Sequence, residues 1–268
     1  MNFILLFPLA GLITAAAAIM IWRSVWQPGQ VSSKSLALIL STGMLITLYA
    51  LFRLEPVTNW GLNFRLAAAA SICVLIMQYV YFLGLLRHGV HGLGLFLLPT
   101  TAVALLVIPL LPNDPILRVQ VTSMMEASHL LLSLLAYAIL TLATLHAAMH
   151  LLLDRALKRK KIGPIINAMP SLHEVETHMY AQVGTATWIL SLGIMSGLTW
   201  QWEELGHFSL LSHKVVLATF SWIVLIALLS MRRQAGWQGK RAAWMVVAAY
   251  VLLLLAYFGV RMVQSVLT

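Results

Sequence analysis

The sequence predicts an all-α integral membrane protein: a bundle of about eight transmembrane helices with both termini on the outer, periplasmic side. Three observations carry this prediction. Apolar residues make up 61% of the 268 positions and charged residues only 9%, where soluble domains carry about a quarter charged; mean hydropathy is +0.90. The apolar residues gather into eight runs, each near the roughly 20 residues that cross a hydrocarbon core. Twelve of the seventeen Lys and Arg fall in alternate connectors between those runs, the asymmetry expected when basic loops stay on the cytoplasmic side.

The runs cover residues 3–22, 36–52, 66–86, 93–111, 127–153, 180–200, 215–231 and 242–266. The connectors after the first, third, fifth and seventh hold Arg23 and Lys34; Arg87; Arg155, Lys158, Arg159, Lys160 and Lys161; and Arg232, Arg233, Lys240 and Arg241. The opposite connectors hold only Arg53, Arg65, Arg118 and Lys214, and Arg261 lies near the end of the last run. The net charge of +9 is therefore topogenic rather than a nucleic-acid footprint. The first run has no Lys or Arg before it, as a signal peptide would, and is read as an uncleaved helix. Residues 1–268 form a single transmembrane domain on this reading. Cys73 is the only cysteine and lies in an apolar run, so no intramolecular disulfide is possible and a core role is expected.

The connector between the fifth and sixth runs is the longest, at about 25 residues. Asp154 to Lys161 reads as a helix extension, and Gly163-Pro164 as its stop. Its basic residues sit where anionic lipid heads lie, although such a run ordinarily only orients the chain. No internal repeat of the kind that marks secondary transporters is visible.

Topology sorts the nine histidines onto two faces. His129, at the start of the fifth run, and His207 and His213, between the sixth and seventh, belong to the outer face. His88, His91, His146, His150, His173 and His178 belong to the cytoplasmic one. At 1.5 Å per residue His129 and His150 are roughly 30 Å apart on one helix, so they cannot serve one small centre. His129, Ser133 and Tyr137 recur at i, i+4 and i+8, a polar stripe that turns inward from lipid. Trp200, Trp202 and Phe208 lie beside His207 and His213. Two readings fit this outer cluster. Neutral imidazole is a common axial ligand of haem iron and aromatic walls suit a flat macrocycle; an interfacial His among Trp residues is also ordinary membrane-belt chemistry. On the cytoplasmic face His146 and His150 stand one helical turn apart, and His88 and His91 share a tight connector. No Cys or carboxylate motif completes a zinc signature there, so no metal is expected, although Glu174 and Glu176 flank His173.

The second half of the chain resembles a known family. Ser128-His129-Leu-Leu-Leu-Ser133-Leu-Leu-Ala136-Tyr137-Ala138 looks like the outer-histidine helix of the cytochrome c assembly family, whose members include CcsA, CcmC and HemX. Gly193-Ile-Met-Ser-Gly197-Leu-Thr-Trp200 resembles the end of the family's next helix, before its tryptophan-rich haem-binding loop. Trp222 matches the tryptophan after that loop. Gly236-Trp237-Gln-Gly239-Lys240-Arg241-Ala and Tyr257-Phe258-Gly259-Val260 match the last cytoplasmic connector and last span. The likeness covers residues 126–262; the first four spans add only compatible topology. Length, eight spans and outer termini look most like the YpjD group of bacterial inner-membrane proteins within the family.

The resemblance implies a haem-handling protein that carries or presents haem at the outer face, with His129, His207, His213, Trp200, Trp202 and Tyr137 as the candidate site. It also marks departures. The loop keeps Glu203, Gly206 and Lys214, but Leu205, Ser209, Leu211, Ser212 and His213 stand where the family has Trp, Trp, Trp, Asp and Pro. The family's second outer histidine would fall at about Thr268, and Ser230 replaces its histidine within the seventh span. Only His129 carries over directly, so a second axial ligand must come from His207 or His213.

Three functional classes follow: a haem-handling assembly factor, a membrane adaptor or regulatory subunit that keeps the scaffold without haem, and a transporter. A transport path would have to be lined by Arg53, Arg65, Glu126 and the Thr185, Thr187, Ser191 and Ser196 face. Those residues suit interhelical hydrogen bonding better, as Gly193 and Gly197 suit close helix packing. No nucleophile, base and orienting acid gather, so an enzyme is not expected. The expected partners are the lipid bilayer, haem, and other membrane or cytochrome-assembly proteins, with no nucleic acid.

Overall fold

The computed structural model describes residues 5–27, 32–54, 57–58, 61–64, 66–88, 92–111, 119–121, 123–161, 163–208 and 212–256. Nine helices account for nearly all of them: α1 Leu6–Trp26, α2 Ser33–Arg53, α3 Leu66–His88, α4 Gly94–Val107, α5 Met124–Lys158, α6 Pro164–Asn167, α7 Leu172–Leu205, α8 His213–Ala235 and α9 Lys240–Leu254. Among the described residues, α1, α2, α3, α5, α7 and α8 are long and apolar enough to cross a membrane. The expected fourth span forms α4 and a 3-10 turn that together run Gly94–Leu110, apolar but shorter. The expected eighth span is described as far as residue 256, so the Tyr257 to Val260 motif lies outside the described residues, as do His91 and Arg118.

One element was not foreseen. β1, Val57–Thr58, pairs antiparallel with β2, Gly61–Phe64, with Val57 opposite Leu62 and Thr58 opposite Gly61. β3, Val119–Val121, completes a sheet of order β1-β2-β3. These stretches flank membrane helices, and segments so short, beside the much longer apolar runs, leave too little alternation to announce a strand.

The chain divides into two compact units, Met1–Gln120 with Ala156–Ser171, and Val121–Arg155 with Leu172–Thr268. In the first, α1 packs most extensively on α4 and α2, and α3 packs on α2 and α4. Its core gathers Phe7, Ala10, Ala50, Leu51, Ala68, Val74, Leu105 and Ile108. Small residues set the approach of α1 to α4: a Cβ on Gly11 would lie 3.0 Å from Leu106 Cγ. Polar side chains then fix the register, with Gln78 Nε2 donating to Thr14 Oγ1 at 3.3 Å and Trp22 Nε1 to the Leu95 carbonyl at 3.2 Å.

The second unit contains the residues of the candidate site. α5 spans 35 residues and α7 34, about 50 Å each at 1.5 Å per residue, against a hydrocarbon core of about 30 Å. The expected extension through Asp154 is present to Lys158, and α7 begins eight residues before the expected span. Both helices are therefore longer than the hydrocarbon core is thick. Ser123 Oγ accepts from the amides of Met125 and Glu126 at the start of α5. The end of α8 is closed by Gly236 in the left-handed region, where a residue without Cβ is unstrained. Large apolar side chains such as Trp188, Met195, Phe220 and Trp244 stand exposed, the outward face expected of helices solvated by lipid.

Gly94 gives a direct test of how tightly the first unit is packed. A Cβ there would reach within 2.5 Å of Ile21 Cδ1 and 2.8 Å of the buried Tyr81 Cζ. Gly94→Ala is expected to destabilise the protein by about 1–3 kcal/mol, measured by reversible unfolding of purified protein in mixed micelles, despite alanine's better helix propensity.

Candidate functional site

His129 occupies the first turns of α5, as the polar stripe required. Its half-buried ring lies against α7, where Nδ1 is 2.7 Å from the Gly193 carbonyl oxygen. A carbonyl can only accept, so Nδ1 carries the proton in neutral imidazole and the Nε2 lone pair is left available. Backbone carbonyls fix metal-ligating histidines in this way, holding tautomer and ring plane together. The ring is seated on Gly197: a Cβ there would fall 2.7 Å from Cε1 and 2.8 Å from Nδ1. The Gly193-xxx-Gly197 spacing, read from sequence as a packing motif, thus has a sharper function. One glycine supplies the acceptor and the other supplies the space for an imidazole between two helices.

The remaining stripe residues pack inward. Ser133 lies beside Gly193, whose added Cβ would be 3.8 Å from Ser133 Oγ. Tyr137 is buried and its hydroxyl donates to the Leu253 carbonyl of α9 at 2.5 Å. Trp200 is half-buried one turn beyond Gly197. Trp202 is exposed and stacks on Phe208, centroids 5.1 Å apart with ring planes 27° from parallel. His207 is exposed just after α7, and His213 is exposed at the first position of α8. The structure joins His129 to Gly193 and Gly197 of α7; residues 209–211, between the two loop histidines, lie outside the described residues.

Further pairs tie the unit together. Trp222 Nε1 donates to Ser191 Oγ at 2.8 Å, joining α8 to α7. Ser221 Oγ donates to the Ala249 carbonyl at 2.8 Å, joining α8 to α9. At the opposite end of α5, His146 is buried with Nδ1 3.0 Å from the Leu142 carbonyl, and its ring lies 5.7 Å from that of His178. His150 is 1% exposed, and neither ring nitrogen has a hydrogen-bond partner. Its Nε2 is 4.0 Å from Glu176 Oε2, too far for a hydrogen bond. Glu176 instead accepts the Gly239 amide at 2.7 Å through Oε1, fastening the α8–α9 turn to α7. Among the described residues no group of three or more His, Cys, Asp or Glu is placed to hold a metal ion. His88 ends α3, in the first unit.

The two glycines should respond differently to a methyl group. Gly193→Ala meets its nearest neighbour at an ordinary 3.8 Å and gains helix propensity, so its stability should stay within about 1 kcal/mol of wild type. Gly197→Ala must displace the His129 ring and is expected to cost about 1–3 kcal/mol. Thermal or denaturant unfolding of the two variants side by side checks the contrast.

Comparison with known proteins places the chain in a family. The family model described as cytochrome C assembly protein matches residues 32–268, reaching into the first half, where sequence reading found only compatible topology. Inner membrane protein YpjD of Escherichia coli strain K12 is 33% identical over 222 residues, covering 81% of each chain. Protein HemX of Brevibacillus brevis is 28% identical over 56% of each. Cytochrome c biogenesis protein CcsA of Prochlorococcus marinus strain MIT 9215 is 33% identical over 33% of this chain and 28% of its own. No solved structure matches the chain. With six apolar membrane-length helices among the described residues and these relatives, the chain is a multi-pass bacterial inner-membrane protein that belongs to the cytochrome c assembly family.

Proposed function

We propose that this protein handles haem at the outer face of the membrane, where His129, through Nε2, and His207 or His213 would hold it. The observation that supports this most directly is the Nδ1 contact to Gly193. It leaves the other nitrogen as the lone-pair donor that would hold the iron. When bound, haem would supply an iron able to accept that lone pair. The protein's own contribution is to hold the imidazole plane, offer Trp200 and the Trp202–Phe208 stack as aromatic walls, and present the loop histidines from the turn between α7 and α8. The reading includes eight spans, with both termini outside and the ends carrying Lys158 to Lys161 and Arg232 to Arg241 inside. It includes no catalysis: any attachment of haem to a protein thiol would fall to partner proteins of cytochrome assembly.

A second reading is favoured by the loop itself. Leu205, Ser209, Leu211 and Ser212 stand in place of the resembled aromatic and acidic residues, and the His129–Gly193 contact also serves as a helix joint. On that reading the protein is a membrane adaptor or regulatory subunit that keeps the scaffold without haem.

Absorption spectra separate the two. Purified protein reconstituted with haem should display a Soret band, which His129→Ala abolishes and His150→Ala leaves intact. A wild-type sample without the band favours the adaptor; a band that needs His150 but not His129 removes the outer site. Topology has its own check, in a Cys73→Ser background. A cysteine at Lys160 or Arg241 should react only with a membrane-permeant maleimide, and one at Glu203 with the impermeant reagent in cells whose outer membrane is opened.

A further inference from the structure

The basic end of the second unit holds a cavity outside the candidate site. About 420 Å³ in volume, it lies between α7 and α8 and is lined by Tyr180, Ala181 and Gly184 from the first and Leu229, Arg232 and Arg233 from the second. The volume is in the range of small-ligand pockets, roughly 300–1,000 Å³. Its origin is local: Ala181 is small, and a Cβ on Gly184 would meet nothing within 4 Å. The spacing i, i+1, i+4 on α7 and i, i+3, i+4 on α8 puts each trio on one helix face.

The cationic part is built and held. The Arg232 guanidinium lies 3.8 Å from the centroid of the Tyr180 ring. Tyr180 is itself 2% exposed and anchored by its hydroxyl, which donates to the Trp237 carbonyl at 2.5 Å. Stacking on an anchored ring restrains the guanidinium while its planar N–H fork stays suited to an oxyanion. Arg233 adds a second fork. Neither arginine has a carboxylate within ion-pair distance among the described residues. The nearest acid in sequence on α7, Glu176, is engaged by the Gly239 amide.

We infer that this cavity binds the phosphate of an anionic lipid headgroup. A free phosphate would need only the arginines; the rest of the surroundings fits a lipid. Leu229, Ala181 and Gly184 make half of the lining apolar. Beyond them, one turn along each helix and away from the arginines, the same faces continue into Trp188, 75% exposed, and Ile226, also exposed. Phosphate at the arginine pair and acyl chains along this apolar surface match a membrane lipid lying beside α7 and α8. Two basic side chains between membrane helices are the recurrent chemistry of such sites. The inference does not depend on haem binding.

The test uses the full chain, delipidated in neutral detergent, with phosphatidylglycerol, phosphatidylcholine or inorganic phosphate added. Native mass spectrometry and thermal unfolding are the readouts. Phosphatidylglycerol should be retained and raise the midpoint, phosphatidylcholine and inorganic phosphate should do neither, and R232Q/R233Q should weaken retention roughly tenfold or more. K240Q/R241Q removes the same charge from residues outside the cavity and should bind as wild type does. Gly184→Leu fills the cavity with both arginines present and should also lose the lipid, which keeps the test valid if the arginine variant is unstable. Equal retention of the two lipids, equal loss in K240Q/R241Q, full binding by Gly184→Leu, or an equal response to inorganic phosphate would each overturn the assignment.

Discussion

Helices immersed in hydrocarbon gain little by exchanging lipid contacts for apolar side-chain contacts, and their backbones are already paired internally. What selects one arrangement is close packing at small residues and the few polar groups that can reach across. The second unit is organised by such groups. His129 to Gly193 joins α5 to α7, Tyr137 to Leu253 joins α5 to α9, Trp222 to Ser191 joins α8 to α7, and Ser221 to Ala249 joins α8 to α9. Each is worth about 0.6–2 kcal/mol, and together they define the relation of four helices. His129 is therefore one of the joints of the unit, and the proton on its Nδ1 follows from that structural duty.

Much of this was legible because the underlying signals are long or periodic. The helical class came from run length, the continuation of α5 through Lys158 from its polar extension and the Gly163-Pro164 stop, and the inward stripe of His129, Ser133 and Tyr137 from i, i+4 spacing. Contacts between residues distant in sequence were not legible. Nothing local to Gly197 says that an imidazole 68 positions earlier rests on it, although the two-glycine spacing and a nearby unmatched histidine were the available hints. Arg232 was read as a topological charge, because a sequence does not display the tyrosine ring beneath it. The β1–β2 hairpin was missed because its strands are only two and four residues long.

Glycine has opposite uses at the two ends of α7. Gly197 is buried and its missing side chain is replaced by the His129 ring. Gly184, about 20 Å away along the helix, has nothing over it and leaves a recess. The same residue type makes a filled joint in one part of the helix and an open pocket in another. The difference lies in what faces it: a histidine on α5 in the first case, open space within 4 Å in the second.

α7 holds the His129 ring through the Gly193 carbonyl and the space over Gly197, and both glycines precede the loop after α7 in the chain. The seat of the imidazole is thus written in the two glycines of one helix, at positions separate from those where the resemblance would place tryptophan and this chain has leucine and serine.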